Sequence, residues 1–382
     1  MHALVSKYFL INASNLHVGG GVQVAVSLID ELSHMEDISF RVSILASDEV
    51  HFNLRKMKCD FSLFNSYEVL NTYGFSALWS GISKKVRGFD VVFTVFGPLY
   101  IWPVRIVSIV GFAQPWIIYP DNEIYRSLPF FQKFRLRLKF FTQSLFFRRV
   151  DRLVVELGHV KNALLTRGFL DAGRIDVVHN CLSSLYLRPE QWKPLSNHIA
   201  RKNFSIAFVG RDYPHKNTNI IPEIKKSLHD IYGLDVDFYV TFNPAEWNDK
   251  SDFFRSNVSN VGVLDVSECP SFYQQMDAVI FPSLLECFSA TPLEAMAMNK
   301  PLFASDRGFV RDVCGDFAWY FDPENPRAAA NLISDYINNQ AGRDAENLAA
   351  AREHVIQFSN ARQRATEYLR IMQSAVAERS IF

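Results

Sequence analysis

The sequence predicts an α/β protein with two doubly wound domains, each a parallel sheet with helices on both faces. The chain has 382 residues, which is too long for one ordinary hydrophobic core. Short apolar runs alternate with helical patterns along most of it. One polar stretch with two prolines, Tyr186–Asn203, interrupts this alternation and indicates a linker between the domains.

Strands and helices alternate first between the N-terminus and this linker. The stretch Val91–Pro120 is apolar enough to resemble a membrane span, but Pro98, Pro103, Pro115 and Arg105 interrupt it. Two short buried strands joined by a loop fit it better. The predicted elements are the strands Leu4–Ile11, Phe40–Ala46, Val91–Phe96, Ile106–Phe112, Leu153–Val155 and Ile175–Val178, and the helix Gly21–Leu32.

The same alternation resumes after the linker. The predicted strands are Phe204–Val209, Val236–Thr241, Asn260–Leu264, Ala278–Phe281 and Pro301–Ala304, with a helix at Thr218–Tyr232 and a helical segment at Ala341–Ala377 that breaks near Phe358–Asn360. The predicted organisation is a first domain over residues 1–188, a linker over 189–203, a second domain over 204–360, and a C-terminal helix over 361–382 that packs back on the first domain. Ligands of such sheets bind at the carboxyl ends of the strands.

Charge and cysteine content bear on the partners of the protein and on its redox compartment. Residues 1–200 carry 22 basic and 16 acidic residues, and residues 201–382 carry 18 and 24, which suggests different partners for the two halves. The five cysteines are scattered without a CxxC pair, which disfavours a disulfide framework or zinc site and favours a reducing compartment. The N-terminus lacks the charged start and long apolar core of a signal peptide.

A loop leads from a strand into a helix within FPSLLECFSATPLEAMAMNKP, which spans Phe281–Pro301. Pro282–Phe288 is the predicted loop. Ser289 or Thr291 can cap the helix that follows, and Pro292 suits its first turn, where a missing N–H costs nothing. The free backbone N–H groups of such a turn favour an anion, most of all phosphate.

Two glutamates flank this helix start. Glu294 lies in the first turn, and Glu286 lies in the loop before it. Ionised carboxylates only accept hydrogen bonds, so the pair suits hydroxyl groups. A ligand with phosphates and hydroxyls, such as a nucleoside diphosphate sugar, fits both features. The plainer alternative is one acid that stabilises the helix dipole and one solvated loop acid.

Two further loops carry features of ligand binding. In FSIAFVGRDYPHKN a strand ends at Gly210, and Arg211 and Lys216 follow before a helix, where two cations can clamp a diphosphate and stabilise it as a leaving group. The alternative is surface cations on a loop. Gly19–Gly21 lie between the first strand and the first helix, where a backbone can approach a ligand closely. The spacing is not the GxGxxG of a dinucleotide site.

Residues Arg126–Val150 form a basic, aromatic stretch with seven basic residues, seven phenylalanines and no acid. A helix of this composition can lie on an anionic membrane surface. The alternative is a domain helix that packs its apolar face on the sheet. Nucleic acid is not a predicted partner, because no groove-reading motif accompanies the cations.

Together these pieces resemble a family 4 glycosyltransferase with the GT-B fold, in which two Rossmann-like domains face each other across a cleft. They occur in the family's order and cover nearly the whole chain. The resembling pieces are Gly19–Gly21, VVHNCLSS at Val177–Ser184, GRDYPHKN at Gly210–Asn217, the Glu286–Glu294 unit, and NKPLFASDRGFVRDV followed by YFDPEN.

The resemblance implies a retaining transferase with no cofactor or metal requirement. Arg211 and Lys216 would bind the diphosphate, Glu294 the ribose hydroxyls, and Glu286 the hydroxyls of the donor sugar near the reacting carbon. The backbone N–H groups around Phe288–Thr291 would face the distal phosphate. The implied donor-binding set is Gly20, Gly21, Gly210, Arg211, Lys216, Glu286, Phe288, Ser289, Ala290, Thr291 and Glu294, of which Glu286, Arg211 and Lys216 are the implied catalytic residues.

The chain departs from the family's pattern in places. Cys287 and Ser289 stand where the family has glycines, which puts the path of the loop in doubt. Many relatives have a His-Asp pair where this chain has VGFAQPW, and Gln114 is the candidate for that neighbourhood. His17 is a further candidate for contact with the acceptor or the donor, and Asn180 is a candidate either for contact with the donor or for holding the hinge between the domains.

No metal site is predicted. Asp235-Val236-Asp237 has the Asp-x-Asp spacing of the metal motif in a different transferase fold. It begins a predicted strand, so we interpret it as structural.

The predicted function is transfer of a hexose from a nucleoside diphosphate sugar to a polyprenyl-linked saccharide in O-antigen or capsule biosynthesis, on the cytoplasmic face of a membrane. GDP-mannose is the working choice of donor. One alternative is a GT-B sugar-nucleotide epimerase, which needs acid and base groups across the cleft. Another is a non-catalytic, membrane-associated protein that binds a sugar nucleotide, for which Cys287 and Ser289 leave room.

Overall fold

The computed structural model describes residues 7–35, 41–102, 104–196, 199, 201–339 and 341–379. These residues belong to two units. The first comprises Met1–Ile118, Pro129–Asn180 and Ala361–Phe382, and the second comprises Tyr119–Leu128 and Cys181–Asn360. The predicted strands Leu4–Ile11 and Phe40–Ala46 begin outside the described residues.

Strands and helices alternate through both units. The strands are β1 (Tyr8–Ala13), β2 (Arg41–Ala46), β3 (Ser66–Val69), β4 (Val91–Thr94), β5 (Val107–Gly111), β6 (Arg152–Val155), β7 (Ile175–Val177), β8 (Phe204–Phe208), β9 (Val236–Val240), β10 (Ser259–Asn260), β11 (Ala278–Phe281), β12 (Leu302–Ser305) and β13 (Trp319–Phe321). The α-helices are α1 (Gly20–Ser33), α2 (Asp48–Lys56), α3 (Ile82–Lys85), α4 (Pro115–Ile118), α5 (Glu123–Ser127), α6 (Phe130–Phe147), α7 (Gly158–Thr166), α8 (Ile220–Tyr232), α9 (Pro244–Asn248), α10 (Asp252–Asn257), α11 (Cys269–Gln275), α12 (Thr291–Ala297), α13 (Gly308–Cys314), α14 (Pro326–Asn339), α15 (Ala345–Phe358) and α16 (Ala361–Arg379).

The first unit contains a seven-stranded parallel sheet in the order β3-β2-β1-β4-β5-β6-β7. Its central strands are apolar along their length, because helices cover both faces of a parallel sheet. A core of residues from β1, β2, β4, α1 and α16 lies on one face. The C-terminal helix α16 belongs to this unit, and its Tyr368 ring lies 4.7 Å from that of Phe93 on β4.

The second unit contains a six-stranded parallel sheet in the order β10-β9-β8-β11-β12-β13. In both sheets the strand order reverses beside the first strand, between β1 and β4 and between β8 and β11. The carboxyl ends of strands at such a reversal leave a crevice, which is where α/β sheets bind ligands.

The segment predicted as a linker packs on the second unit. Leu195 and Ile199 lie against a cluster that includes Ala207 and Tyr239. The main segment of the second unit begins at Cys181, earlier than the predicted boundary at residue 188. Its early start reflects Tyr186, which is buried with its ring 6.0 Å from that of Tyr273.

The prediction of a strand over Asn260–Leu264 is wrong. Pairing with β9 stops at Asn260, whose side-chain oxygen accepts hydrogen bonds from the N–H groups of Phe242 and Gly262. The chain turns there, and Gly262 has a φ of 84°. The edge strands β3 and β13 were not predicted, because both are short and incompletely buried.

The apolar stretch Val91–Pro120 contains β4 and β5 joined by a loop, which confirms the prediction for it. Among the described residues, no helix combines the length and the apolar character needed to cross a membrane.

Candidate functional site

Buried contacts hold the loop after β8, which carries the two predicted cations Arg211 and Lys216. Gly210 has a φ of 148°, a backbone conformation that favours glycine. Asp212 forms an ion pair with Lys250 at 2.7 Å, and the side chain of Lys250 is 7% exposed. Lys250 also donates to the hydroxyl of Thr218 at 2.9 Å. This buried network fixes the path of the loop between Gly210 and α8.

Arg211 lies at the surface of this loop. Its Nε donates to Glu246 Oε1 at 2.7 Å, and the guanidinium side chain is half exposed. Glu246 also completes a capping box at the start of α9 with Asn243. Burial opposes ionisation of Glu246, but hydrogen bonds from Arg211 and from two backbone N–H groups outweigh it and lower its pKa. Glu246 therefore holds Arg211 in place as a charged pair.

Lys216 and Glu286 meet directly, although 70 positions separate them in the sequence. Lys216 Nζ donates to Glu286 Oε1 at 2.6 Å, and both side chains are largely buried. The ammonium group also lies 5.3 Å from the centre of the Phe281 ring at the end of β11. A backbone hydrogen bond of 2.8 Å from Leu284 N–H to the carbonyl of His215 ties the two loops together. The crevice between β8 and β11 therefore brings together two of the three predicted catalytic side chains.

The helix after the second loop starts as predicted, but its cap differs. Pro292 lies in the first turn of α12, and no side chain caps the helix. The prediction of a cap from Ser289 or Thr291 is wrong, because Thr291 is buried and its hydroxyl instead donates to the carbonyl of Val209 at 3.4 Å. That contact links α12 to the end of β8. Phe288, Ser289 and Ala290 are half-buried in the loop before the helix.

Glu294 lies in the first turn of α12, on the side of the helix that meets two tyrosines. Its Oε2 accepts a hydrogen bond of 2.8 Å from the hydroxyl of Tyr273. Burial raises the pKa of Glu294, and hydrogen bonds from Tyr273 and Tyr186 offset this only in part. The tyrosines orient the carboxylate that the resemblance assigns to the ribose.

The glycines predicted to line a ligand lie in the first unit, at the start of α1. Gly20 is exposed, and a Cβ there would have no heavy atom within 4 Å. A Cβ on Gly21 would lie 3.2 Å from a methyl carbon of Leu16. Protein packing therefore does not require glycine at position 20.

The other candidates of the first unit contact protein groups. His17 Nε2 lies 2.9 Å from the carbonyl oxygen of Thr72, and its ring stacks on Tyr73 at 4.2 Å. Asn180 donates to Glu156 Oε1 at 2.8 Å and accepts from Arg364 of α16. Asn180 thus helps to fix the C-terminal helix.

Gln114 lines a cavity of about 180 Å³ at the carboxyl ends of β1 and β4. Three amide side chains that the sequence did not single out share it: Asn12, Asn15 and Gln143. Gln143 lies on α6, inside the stretch that composition assigned to a membrane surface. Its burial is set by contacts between distant segments, so no local pattern marked it.

The Asp-x-Asp pair has protein partners. Asp235 lies 3.0 Å from His229, and Asp237 accepts from the backbone N–H of Asn203 at 3.3 Å. Within the described part of the chain, no group of three or more His, Cys, Asp or Glu side chains could hold a metal ion.

Comparison with known proteins finds similarity to glycosyltransferases. The family model "Glycosyl transferases group 1" matches residues 253–355, which include Glu286 and Glu294. The chain is 24% identical over 227 residues to the O-antigen chain mannosyltransferase RfbU of Salmonella typhimurium, covering 57% of each chain. It is 26% identical over 151 residues to the capsular polysaccharide biosynthesis glycosyltransferase CapM of Staphylococcus aureus, covering 38% of this chain and 40% of that one. The alignments thus span less than two thirds of either relative.

Solved structures match nearly the whole length of the chain. A glycosyltransferase from Rickettsia africae superposes with a TM-score of 0.71 at 17% identity, covering 97% of this chain and 99% of that one. Anabaena HepE, solved with UDP and glucose, superposes with a TM-score of 0.68 at 15% identity, covering 96% and 100%. The prediction of a GT-B fold with two Rossmann-like domains is confirmed. The predicted similarity to glycosyltransferases of surface-polysaccharide biosynthesis is confirmed as well.

Proposed function

We propose that the chain is a retaining, metal-independent glycosyltransferase that moves a hexose from a nucleoside diphosphate sugar to a lipid-linked saccharide. The observation that carries this proposal is the contact between Lys216 and Glu286 in the crevice between β8 and β11. It combines a cation for phosphate with a carboxylate for hydroxyls, at the edge of the sheet where such folds bind ligands.

Lys216 and Glu286 each keep hydrogen-bonding groups that a ligand can use. An ammonium group has three N–H donors, and Lys216 directs one of them to Glu286. Glu286 receives that bond on Oε1, and the hydrogen bonds of the described residues leave its Oε2 for a sugar hydroxyl. Arg211, half exposed and held by Glu246, supplies the second cation. The proposed donor lies with its diphosphate on the cations and its sugar beside Glu286.

The proposed reaction breaks one bond and forms one at the anomeric carbon. The bond from this carbon to the diphosphate oxygen breaks, and the bond to the acceptor oxygen forms on the same face of the sugar. The proton of the acceptor hydroxyl moves to the leaving phosphate oxygen. Arg211 and Lys216 stabilise the charge that develops on the diphosphate. The chemistry needs no covalent enzyme nucleophile and no metal ion.

We propose the exposed face of α6 as the membrane contact. Its outward apolar side chains recur every three or four residues, so they share one face of the helix. Phe140, Gln143 and Phe147 are buried on the opposite face. The cations Lys133, Arg135, Arg137 and Lys139 lie on the two flanks between these faces. The exposed apolar side chains are Phe130, Phe131, Phe134, Leu138, Phe141 and Leu145.

This distribution suits a helix that lies in the surface of an anionic membrane, with apolar side chains toward the acyl chains and cations toward the headgroups. A surface-bound enzyme meets a lipid-linked acceptor without extracting it. We therefore propose that the chain works on the cytoplasmic face of the membrane in O-antigen or capsule biosynthesis. The mannosyltransferase relative and the UDP bound to HepE make GDP-mannose and UDP-glucose the first donors to test.

The direct test of donor binding is a thermal-shift panel of nucleoside diphosphates and their sugars in the presence of a chelator. A 100-fold excess over Kd stabilises the folded protein by about 2.7 kcal/mol. We expect one nucleotide to raise the melting temperature of the wild type and of Arg327→Ala, an exposed arginine elsewhere in the second unit. Arg211→Ala should lose that rise. No rise with any nucleotide, or an equal rise in Arg211→Ala, would contradict the proposal.

A further inference from the structure

Two tryptophans of the first unit are exposed side by side. Trp79 is 74% exposed at the end of a 3₁₀ turn that spans Gly74–Trp79, and Trp102 is 50% exposed in the loop after β4. Their rings meet edge to face, with centroids 6.3 Å apart. Exposed aromatic side chains that lie together mark an interaction surface more often than scattered single ones do.

Hydrogen bonds hold this pair in its exposed position. The indole N–H of Trp102 donates to the carbonyl of Leu78 at 3.0 Å, and its backbone N–H donates to the hydroxyl of Ser83 at 3.0 Å. These bonds tie the loop after β4 to the 3₁₀ turn and to α3. Because the framework of the pair is already ordered, binding through it costs little conformational entropy.

The turn and the loop that carry the tryptophans pack against α6 through other aromatic rings. Phe75, in the same turn as Trp79, has its ring centroid 5.8 Å from that of Phe146 on α6. The ring of Tyr100, two residues before Trp102, lies 4.8 Å from the same phenylalanine. The tryptophan pair therefore lies beside the C-terminal end of the helix that we propose as the membrane contact.

The charges of this part of the chain are almost all basic. In residues 69–120 the one acidic residue is Asp90, and its carboxylate accepts a hydrogen bond of 2.7 Å from the backbone N–H of Tyr8. An excess of positive charge attracts anionic lipid headgroups, whereas an uncharged glycan would leave it without a counter-charge. Tryptophan is enriched where membranes meet water, since its ring is apolar and its N–H is polar. The basic residues are Lys84, Arg87 and Arg105, which are exposed, and Lys85, which pairs with Glu68.

We propose that Trp79 and Trp102 form a second membrane contact of the first unit, in which both rings lie among the headgroups of an anionic bilayer. The inference rests on the proposed function and adds a rigid point of attachment to the contact made by α6. A single helix in the membrane surface leaves the protein free to rock about the helix axis. A second attachment beside the helix fixes the orientation of the first unit on the membrane.

The test measures the emission of Trp79 on vesicles of phosphatidylcholine and phosphatidylglycerol. The chain has six tryptophans, so subtracting the spectrum of Trp79→Phe from that of the wild type isolates this residue. We expect lipids brominated close to the headgroup to quench this emission more than lipids brominated deep in the acyl chains. Trp79→Ser should weaken vesicle binding about tenfold, and Trp79→Phe should keep most of the affinity. Phe253→Ser, which removes an exposed ring of the second unit, should bind as the wild type does.

The α6 variant Phe131→Ser/Phe134→Ser/Phe141→Ser separates this inference from the proposed function. If that variant loses affinity for vesicles while Trp79→Ser binds as the wild type does and Trp79 is not quenched, the inference is overturned and the contact through α6 stands. If the wild type binds no vesicles, both membrane contacts are wrong, whereas donor binding is still decided by the thermal-shift panel.

Two other outcomes would assign the tryptophan pair to a different partner and overturn the inference. One is a dimer in solution that Trp79→Ser dissociates, which would make the surface a contact between two copies of the chain. The other is a change in the emission of Trp79 on addition of a soluble oligosaccharide but not of vesicles.

Discussion

Replacing three exposed phenylalanines of α6 with serine should detach the protein from anionic membranes. Phe131, Phe134 and Phe141 are 84%, 61% and 61% exposed, so none of them supports the core of the first unit. The variant Phe131→Ser/Phe134→Ser/Phe141→Ser leaves the buried face of the helix unchanged. Its effect therefore reports on what the exposed face contacts.

The exposed fractions set the size of the effect. Full burial of a phenylalanine side chain contributes ~1.5–3 kcal/mol, so transferring the exposed parts of these three into lipid contributes about 3–6 kcal/mol. A helix in the interface inserts only partly, which favours the lower end of that range. Because ~1.4 kcal/mol corresponds to a factor of ten, the triple variant should bind at least ~100-fold more weakly.

The assay is co-sedimentation with vesicles of phosphatidylcholine with or without phosphatidylglycerol. Wild type should bind the anionic vesicles and lose affinity at high salt, since Lys133, Arg135, Arg137 and Lys139 contribute through screened electrostatics. Phe52→Ser is the matched control, because Phe52 is 54% exposed on α2 of the same unit. Equal binding of the triple variant and wild type, or an equal loss in the control, would show that the exposed face of α6 is not the membrane contact.

Three further predictions concern the framework of the site. Asp212→Ala should destabilise the second unit by ~3–5 kcal/mol in denaturant unfolding, because it leaves the buried Lys250 without its ion pair. Gly111→Ala should cost at least ~3 kcal/mol and reduce soluble yield, because its Cβ would lie 1.8 Å from the carbonyl oxygen of Val95. Glu294→Gln should raise the melting temperature at pH 7. Burial raises the pKa of Glu294 above its value in the unfolded chain, so the wild type loses stability as pH rises from the unfolded pKa through the folded pKa.

Each of these three predictions has a control variant or a result that would contradict it. Asp252→Ala breaks an ion pair whose acid is 98% exposed and should cost less than ~1 kcal/mol. Gly88→Ala meets no heavy atom within 4 Å and should fold normally. The gain from Glu294→Gln should shrink toward acid pH, where wild type is protonated as well. A gain that stays constant from pH 4 to pH 8 would exclude the burial of charge as its cause.

Local patterns were sufficient to predict the elements that build the proposed donor site. The strand Ala278–Phe281 was predicted with its observed bounds, and Pro292 and Glu294 lie in the first turn of α12 as expected. These features follow from short-range chemistry: an apolar run buried on both faces of a sheet, and a proline suited to the first turn of a helix. The break before the C-terminal helix, at Ser359–Asn360, was also predicted.

Contacts between distant segments could not be predicted in the same way. Glu246 lies 35 positions from Arg211, and no motif marks it as the partner that orients the guanidinium. Thr291 has the side chain of a helix cap, but the proximity of β8 offered it another acceptor. Asn15 and Gln143 line one pocket with Gln114 only because the fold brings these distant segments together. Composition could not show which residues of α6 face inward, where Phe140, Gln143 and Phe147 are buried.

The proposed transfer of a sugar with retention, at the crevice that holds Glu286, can be observed directly. The measurement is NMR of GDP-mannose and UDP-glucose, labelled with ¹³C in the sugar, incubated with the protein, a chelator and a bacterial membrane lipid extract. We expect release of nucleoside diphosphate together with a new glycoside of the donor's anomeric configuration. Glu286→Ala should slow this at least ~100-fold, and Asp230→Ala, an exposed acid of the same unit, should not. Conversion of the donor into an epimeric sugar nucleotide, no turnover of either donor, or full activity in Glu286→Ala would contradict it.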